Sequence, residues 1–555
     1  MINTKTITLS IITAATLLAA PPSAGDIEKQ IVIPKAVQEK EGVNNAIPEF
    51  VPKVQTQESV KENVDFQKVP TVHITKITYE GNEHMAKESL DELLKSHLGK
   101  AYTFEELKKM TSIVTKHYRE QGYFVARAYL SQNAIEGETF KISIIEGAYG
   151  EFKLSNTSLV NDEHIKEMLE DVAQDKIISV STIERAMLLI NDTPGAKVTK
   201  ADIMPGQFVG SSDFAITTES TNPYSAYILG DNYGSQYTGK YRVNLGLSAN
   251  SPLGYGDKLS LNGLLSTTGD LKNGRIAYGF PLMSNGLRGE LSASKTTYSL
   301  AKEYEVLDAI GNATSLEAKL SYPLIRTRQE TLNLSIGFAH KKMEDEVRST
   351  STLINKDSDA LSLGANYFKN CILFGLQSTT SASVTLTAGK LDSPSNKDTD
   401  GSFSKIEGSL EKALQFNAEY SLTASLRFQK ALKDKNLDGS EDFSLGGAYG
   451  VRAFPDGEHS AENGYILGVE LFYTLPSYEG INHKVSIFAD TGYASMQNYN
   501  GTVEGRQLFD MGLGYQASYK DFFAKAQIAR VMGGEKSETE DKDSTRFLLQ
   551  LGWIY

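Results

Sequence analysis

The chain has 555 residues, with 69 acidic against 56 basic side chains and a formal net charge of −13. This length allows several domains, and an acidic balance without a basic block argues against a nucleic acid partner. The single cysteine, Cys371, excludes an intrachain disulfide.

The first 24 residues are typical of a secretory signal peptide. Lys5 provides a positive start, and residues 7–20 form an apolar core that is too short to span a bilayer. Ala20 and Ala24 are candidate cleavage sites. The alternative interpretation is a buried first helix.

Residues 25–70 are predicted to be an extended linker. Four prolines, at positions 34, 48, 52 and 70, lie among polar residues and disfavour regular structure. At most a short helix is expected near residues 35–41.

Two small α+β units follow, at residues 71–147 and 148–218. In the first, apolar spacing predicts a strand over residues 72–79, helices at 89–97 and 104–121, and strands at 125–130 and 140–145. The second weakly repeats this pattern. It is predicted to have a strand at 152–154, helices at 161–169 and 181–190 with Ser181 as a cap, and strands at 196–203 and 213–218.

Residues 219–555 are predicted to be strand after strand of alternating apolar and polar side chains. In the last strand Phe547, Leu549, Leu551, Trp553 and Tyr555 share one face. A wide aromatic face suits lipid, where only helices or closed barrels satisfy the backbone. We therefore predict a transmembrane β-barrel in an outer membrane, with sixteen antiparallel strands centred near residues 229, 245, 262, 278, 293, 319, 336, 363, 383, 409, 424, 468, 489, 513, 527 and 550.

An even strand number leaves both ends of the barrel on the periplasmic side, so residues 433–463 form an outer loop. Alternation in the thirteenth barrel strand points Phe488 and Asp490 into the lumen, where a carboxylate needs a cation or water. The outer loop contains a Gly-rich, aromatic stretch at residues 445–458 around one arginine, Arg452.

These motifs together resemble the two-partner secretion transporters, the family that exports haemolysin and filamentous haemagglutinin. The resemblance covers essentially everything after residue 70. Further family-like stretches lie at residues 189–195, 231–235, 251–257 and 322–326. The resemblance implies two periplasmic POTRA domains, the name of the small units in that family, before a sixteen-stranded barrel.

The resemblance also implies a lock between the outer loop and the barrel wall. In the family the loop folds back into the lumen, and the arginine at its tip pairs with an aspartate of the thirteenth strand. The corresponding residues here are Val451, Arg452, Ala453 and Phe454 at the tip, with Phe488, Asp490 and Gly492 on the strand. In a wet lumen such a pair is expected to contribute about 0–1 kcal/mol, and more if the loop excludes water.

Three departures from the family pattern matter. Ala453 replaces the usual tip glycine, so the turn must avoid positive φ there or be strained. Tyr555 ends the chain where Phe is commoner, which keeps an aromatic signal for the barrel assembly machinery. Pro34 interrupts the region where relatives carry a plug helix, so a full-length plug is not expected.

The expected partners are a large secreted exoprotein with an N-terminal secretion domain, the lipid bilayer with its lipopolysaccharide, and the barrel assembly machinery. An extended exoprotein segment can add to a strand edge of the first POTRA domain or lie in the groove beside a helix, here the predicted helix over residues 104–121. The residues predicted to form that surface are Val125, Arg127, Tyr129 and Leu130.

No catalytic or metal-binding motif was found, and no cofactor is expected. The eight histidines never fall at helical ligand spacing, and the sequence has no phosphate-binding loop or nucleophile elbow. The leading hypothesis is therefore a protein-exporting channel. Its alternatives are an insertase of the same superfamily, a passive porin with periplasmic domains, and, more distantly, a soluble β-rich enzyme. The sequence does not identify the exoprotein.

Overall fold

The computed structural model describes residues 21–29, 31, 71–173, 177–433, 435–496, 505–533, 537 and 544–555. The predicted signal core at residues 7–20 and the predicted helix at 35–41 lie outside these ranges. Within them, no helix is both long and apolar enough to cross a membrane.

The first small unit is a three-stranded sheet backed by two helices. Its elements are β1 (Val72–Ile74), β2 (Lys76–Glu80), α2 (Lys87–Leu94), β3 (Lys100–Tyr102), α3 (Phe104–Glu120), β4 (Arg127–Tyr129), β5 (Ile135–Glu136) and β6 (Thr139–Ile145). The predicted first strand is in fact two, because β1 pairs with β3 while β2 pairs with β6. The main sheet has the order β2-β6-β4.

The second small unit repeats this design with longer strands. Its elements are β7 (Ala148–Thr157), α4 (Asp162–Ala173), α5 (Val180–Asp192), β8 (Lys197–Pro205) and β9 (Ser211–Glu219), in the sheet order β7-β9-β8. The predicted cap Ser181 was wrong. Ser179 precedes α5, and its hydroxyl accepts a hydrogen bond from the Thr182 backbone at 3.2 Å.

Sixteen antiparallel strands close into one barrel, and every predicted strand centre falls within an observed strand, so the predicted fold class is confirmed. They are β10 (Tyr224–Asp231), β11 (Arg242–Asn250), β12 (Lys258–Ser266), β13 (Leu271–Pro281), β14 (Arg288–Ser299), β15 (Ala309–Arg326), β16 (Glu330–Val347), β17 (Thr352–Leu373), β18 (Leu376–Asp392), β19 (Gly401–Gln415), β20 (Tyr420–Ala431), β23 (Asn463–Thr474), β24 (Asn482–Ser495), β25 (Gly505–Tyr519), β26 (Phe522–Val531) and β27 (Thr545–Ile554).

The two faces of the wall differ as the alternation predicts. In β11, Leu245 and Leu247 are exposed on the outside, whereas Arg242 and Asn244 are buried inside. The closing seam between β10 and β27 is short. It pairs only five residues of each strand, from Tyr227 with Ile554 to Asp231 with Gln550.

A short helix, α1 (Ala24–Lys29), lies inside the barrel. This corrects the expectation that residues 25–29 belong to an extended linker, and it places Ser23 and Ala24, the end of the predicted signal peptide, in the folded lumen. Ser23 and Asp26 cap the helix reciprocally, with the Ser23 hydroxyl donating to Asp26 at 2.7 Å. Ala24 and Ile27 are 1% and 3% exposed and pack against apolar side chains of the barrel interior. The helix therefore forms because the lumen buries its apolar face.

Candidate functional site in the barrel lumen

The loop between β20 and β23 folds into the lumen and packs there. Two short strands, β21 (Phe443–Ser444) and β22 (Ser460–Ala461), pair to form its neck. Leu445, Val451 and Phe454 are fully buried against side chains of the barrel wall. Burial of three large apolar side chains explains why this outer loop is not polar.

The loop tip is a compact turn that tolerates Ala453. The backbone N–H of Val451 donates to Leu445 at 2.8 Å, and that of Gly447 donates to Phe454 at 2.9 Å. Positive φ occurs at Gly447, at 102°, and not at Ala453. The replacement of the usual glycine therefore causes no backbone strain at that position.

Arg452 at the tip meets the predicted residues of β24. Its guanidinium donates to both Asp490 oxygens, at 2.6 and 3.0 Å, and lies 3.4 Å from the centre of the Phe488 ring. A third bond, at 2.8 Å, reaches Glu470 of β23. Only 10% of the Arg452 side chain is exposed, against 5% for Asp490. The pair is thus bidentate, stacked and desolvated, which corresponds to the case in which the loop excludes water.

Gly492 lies one pleat beyond Asp490, beneath the loop. A β-carbon at this position would come within 2.9 Å of the Leu445 side chain. The absence of a side chain therefore allows the loop to approach the wall closely.

Besides Glu470, sequence reasoning missed four wall and loop residues of the site. Asp510 of β25 accepts from the Ala453 backbone at 2.5 Å, and Arg546 of β27 donates to the Phe454 carbonyl at 2.6 Å. Arg506 of β25 pairs with Glu458 of the loop at 2.8 Å. Each wall residue is buried between two exposed neighbours on its strand, so strand alternation was the available signal. We call the contacts of residues 452–458 with these strands the tip lock.

A second set of charged contacts holds the beginning of the loop. Asp438 pairs with Lys356 at 2.7 Å, and Glu441 pairs with Lys341 and Lys405 at 3.3 and 3.0 Å. These lysines come from three different strands. The same segment supports α1, because Lys29 donates to the Gly439 carbonyl at 2.7 Å. Loop and helix therefore occupy the lumen as one connected body.

The strand of the predicted substrate surface in the first small unit is shorter than predicted. It is only three residues long, and Val125 precedes it and packs against the core of the second unit. At the edge, the Ala128 N–H donates to the Thr115 hydroxyl at 2.9 Å, and that hydroxyl also contacts the Ala128 carbonyl at 3.4 Å. Helix α3 thus covers the middle of the edge. Arg127 is exposed, and Tyr129 and Leu130 are half-buried.

The architecture defines an outer-membrane β-barrel with periplasmic α+β units and a loop docked in its lumen. The family model described as haemolysin secretion/activation protein ShlB/FhaC/HecB matches residues 210–517, and that of the ShlB-type POTRA domain matches residues 72–147. The chain belongs to this family of outer-membrane secretion transporters, whose POTRA domains lie in the periplasm. The resemblance stated from sequence is thereby confirmed.

Individual relatives agree with this assignment. The heme/hemopexin transporter protein HuxB of Haemophilus influenzae strain 86-028NP is 28% identical over 420 residues, which cover 74% of each chain. The hemolysin transporter protein HpmB of Proteus mirabilis is 22% identical over 469 residues, 81% of each chain. The solved structure of CdiB from Escherichia coli shares the fold with a TM-score of 0.77 at 19% identity, covering 97% of this chain and all of that one.

Proposed function

We propose that this protein exports one large exoprotein, which its POTRA domains capture unfolded in the periplasm and its barrel conducts to the cell surface. Family membership supports export of a protein. A barrel of sixteen strands is wide enough for an extended polypeptide once its contents move aside.

The observation that carries the proposal is the tip lock. A packed loop obstructs the lumen, yet it is held to the wall largely by side chains of four strands rather than by a continuous backbone ladder. Such contacts can be exchanged for water without unfolding the barrel. A loop of this kind fits a channel that opens for cargo and closes afterwards.

Capture in the periplasm is supported by one exposed apolar site besides the predicted surface. Phe208 and Val209, at the turn between β8 and β9, are 78% and 88% exposed. Large apolar side chains left in water commonly mark contact sites for other chains. An unfolded polypeptide presents the complementary apolar segments.

Export has to use a source of energy other than nucleotide hydrolysis, since the sequence has no phosphate-binding loop. Folding of the emerging exoprotein at the cell surface prevents backsliding and is a sufficient source. An exoprotein variant that cannot fold outside should stall in the barrel, and unchanged export of that variant would contradict this mechanism.

The function is tested by deleting the gene and comparing culture-supernatant and outer-membrane proteins with those of the parent strain. We expect one large protein to disappear from the supernatant while other barrels keep their abundance. Loss of many barrels would instead indicate an insertase. An unchanged supernatant, with steady open conductance of the purified protein, would indicate a porin.

Capture by the POTRA domains is tested by photo-cross-linking. A photoreactive amino acid at Arg127 or Phe208 should cross-link to the protein identified by the deletion, whereas one at the exposed Glu170 of α4 should not. Equal yields at all three positions would contradict a defined capture surface.

A further inference from the structure

Three of the family-like stretches, which the transport function leaves without a role, meet at one joint. Residues 189–195 end helix α5 of the second POTRA domain. Residues 251–257 form the turn between β11 and β12, and residues 322–326 end β15. All three therefore lie where the second POTRA domain touches the periplasmic end of the barrel.

The centre of the joint is a bidentate ion pair. Arg326 of the barrel donates to both oxygens of Asp192 in the second POTRA domain, at 2.6 and 2.7 Å. The Arg326 side chain is 1% exposed and Asp192 is 32% exposed. A guanidinium this deeply buried needs its carboxylate, so the pair fixes both position and angle.

The same helix makes two further contacts with this part of the wall. Glu184 pairs with Arg328 at 2.8 Å. Arg185 donates to the Pro323 carbonyl at 2.7 Å, with its guanidinium 5.9 Å from the centre of the Tyr322 ring. Glu184, Arg185 and Asp192 therefore bond α5 to the end of β15 and to the turn that follows it.

Two other periplasmic turns complete the support. The Asn161 N–H donates to the Gly254 carbonyl at 2.8 Å, and the Ser251 hydroxyl donates to the Leu159 carbonyl at 3.3 Å. In the turn between β13 and β14, a β-carbon on Gly286 would lie 2.8 Å from the Leu189 side chain. Contacts with three turns prevent rotation about any single one of them.

We infer that this joint, which we call the periplasmic clamp, holds the second POTRA domain in one pose on the barrel throughout export. Asp192 and Arg326 are its positioning residues. The clamp keeps the captured chain aligned with the barrel mouth while the loop moves, an inference that rests on the proposed function. Its structural part can be measured without any exoprotein.

The pose is tested with spin labels on full-length protein in lipid vesicles, with Cys371→Ser as background. Labels on cysteines at Lys166 of α4 and at Ala418, in the turn between β19 and β20, should give one narrow distance distribution. Asp192→Ala should broaden it, and the charge swap Asp192→Arg with Arg326→Asp should narrow it again. As a control, Lys369→Ala breaks an ion pair with Glu330 within the barrel wall and should change nothing. A broad distribution in the parent would overturn the clamp, and a narrow one in Asp192→Ala would overturn the role of Asp192 as its positioning residue.

Function is tested by replacing the ion pair with a covalent bridge. Asp192→Cys with Arg326→Cys should reduce export of the protein found in the deletion experiment at least fivefold. A short bismaleimide between the two cysteines should restore export. A bridged protein that assembles but does not export would show that the joint must open and would refute the inference. If deletion removes no secreted protein, the export proposal fails, and the label distances still decide the pose.

Discussion

Arg452 is one cation among several carboxylates. Asp490 and Glu470 bond to it directly, and Asp510 holds the neighbouring Ala453 backbone. Sequence alternation predicted that Asp490 faces the lumen, and the family resemblance supplied its partner. The third carboxylate was not predicted, because a register position gives the face of a residue but not the distance to another strand.

Replacing Arg452 with alanine should leave the barrel assembled but release the loop. Leaving buried carboxylates without their cation costs about 3–5 kcal/mol, far more than a solvated pair would. Export should fall about tenfold or more, while heat-modifiable gel migration stays that of a folded barrel. Arg275→Ala is the matched control, since Arg275 pairs with the half-exposed Glu290 on the wall. Normal export from the Arg452 variant would exclude the lock from transport.

Glu146 is a buried carboxylate at the end of the first POTRA domain. Burial by itself raises the pKa of Glu146, but hydrogen bonds from the His84 ring and backbone, the Tyr118 hydroxyl and the Met85 backbone outweigh it and lower the pKa below 4.5. The ring contact is 2.7 Å and the Tyr118 bond 2.9 Å. The ionised side chain therefore ties α3 and the loop before α2 to the sheet.

The stability of the first POTRA domain should decrease as the pH falls. A carboxyl whose pKa is lowered by folding stabilises the folded state above its unfolded pKa and loses that effect as pH falls through the folded pKa. Hydrogen exchange of residues 71–147 in the full-length protein should accelerate below about pH 4.5, after correction for intrinsic rates. Glu146→Gln should cost about 1–3 kcal/mol at neutral pH and flatten this dependence. The exposed Glu136→Gln is the control, and an unchanged pH profile in Glu146→Gln would contradict the assignment.

At the scale of elements, alternation predicted every barrel strand because each has one face in lipid and one in the lumen. The same rule failed for short pieces. Strands β3 and β5 have three and two residues, too few for a period to emerge. Helix α1 has six residues and is stabilised by burial in the barrel rather than by its own sequence.

Helix α1 should undock when its buried side becomes charged. Ile27→Glu places a carboxylate among the apolar residues around Tyr298, Met343 and Phe403, at a cost of several kcal/mol. The conductance of the purified protein in planar bilayers should rise several-fold. Val306→Glu is the matched control, since Val306 is 84% exposed in an outer turn. Equal conductance of the two variants would mean that α1 does not restrict the lumen.

At the scale of the molecule, the sequence predicted the POTRA domains and the barrel but not the contacts between them. Asp192 and Arg326 are 134 residues apart, and the sequence around neither residue indicates that the two form a pair. The stretches around them were recognised only as family-like. Their common location explains why several weak motifs occur together, since three turns and one helix have to fit one another at a single joint.

The closing seam has a mechanical consequence. Its first and last strands share five residue pairs, whereas β16 and β17 share eighteen. The force needed to separate two neighbouring strands increases with the number of interstrand hydrogen bonds that must break together. The contact between β10 and β27 is therefore the weakest line in the barrel wall. Tension in the surrounding bilayer, or a polypeptide too large for the lumen, would separate the wall between Leu229 and Gly552 first.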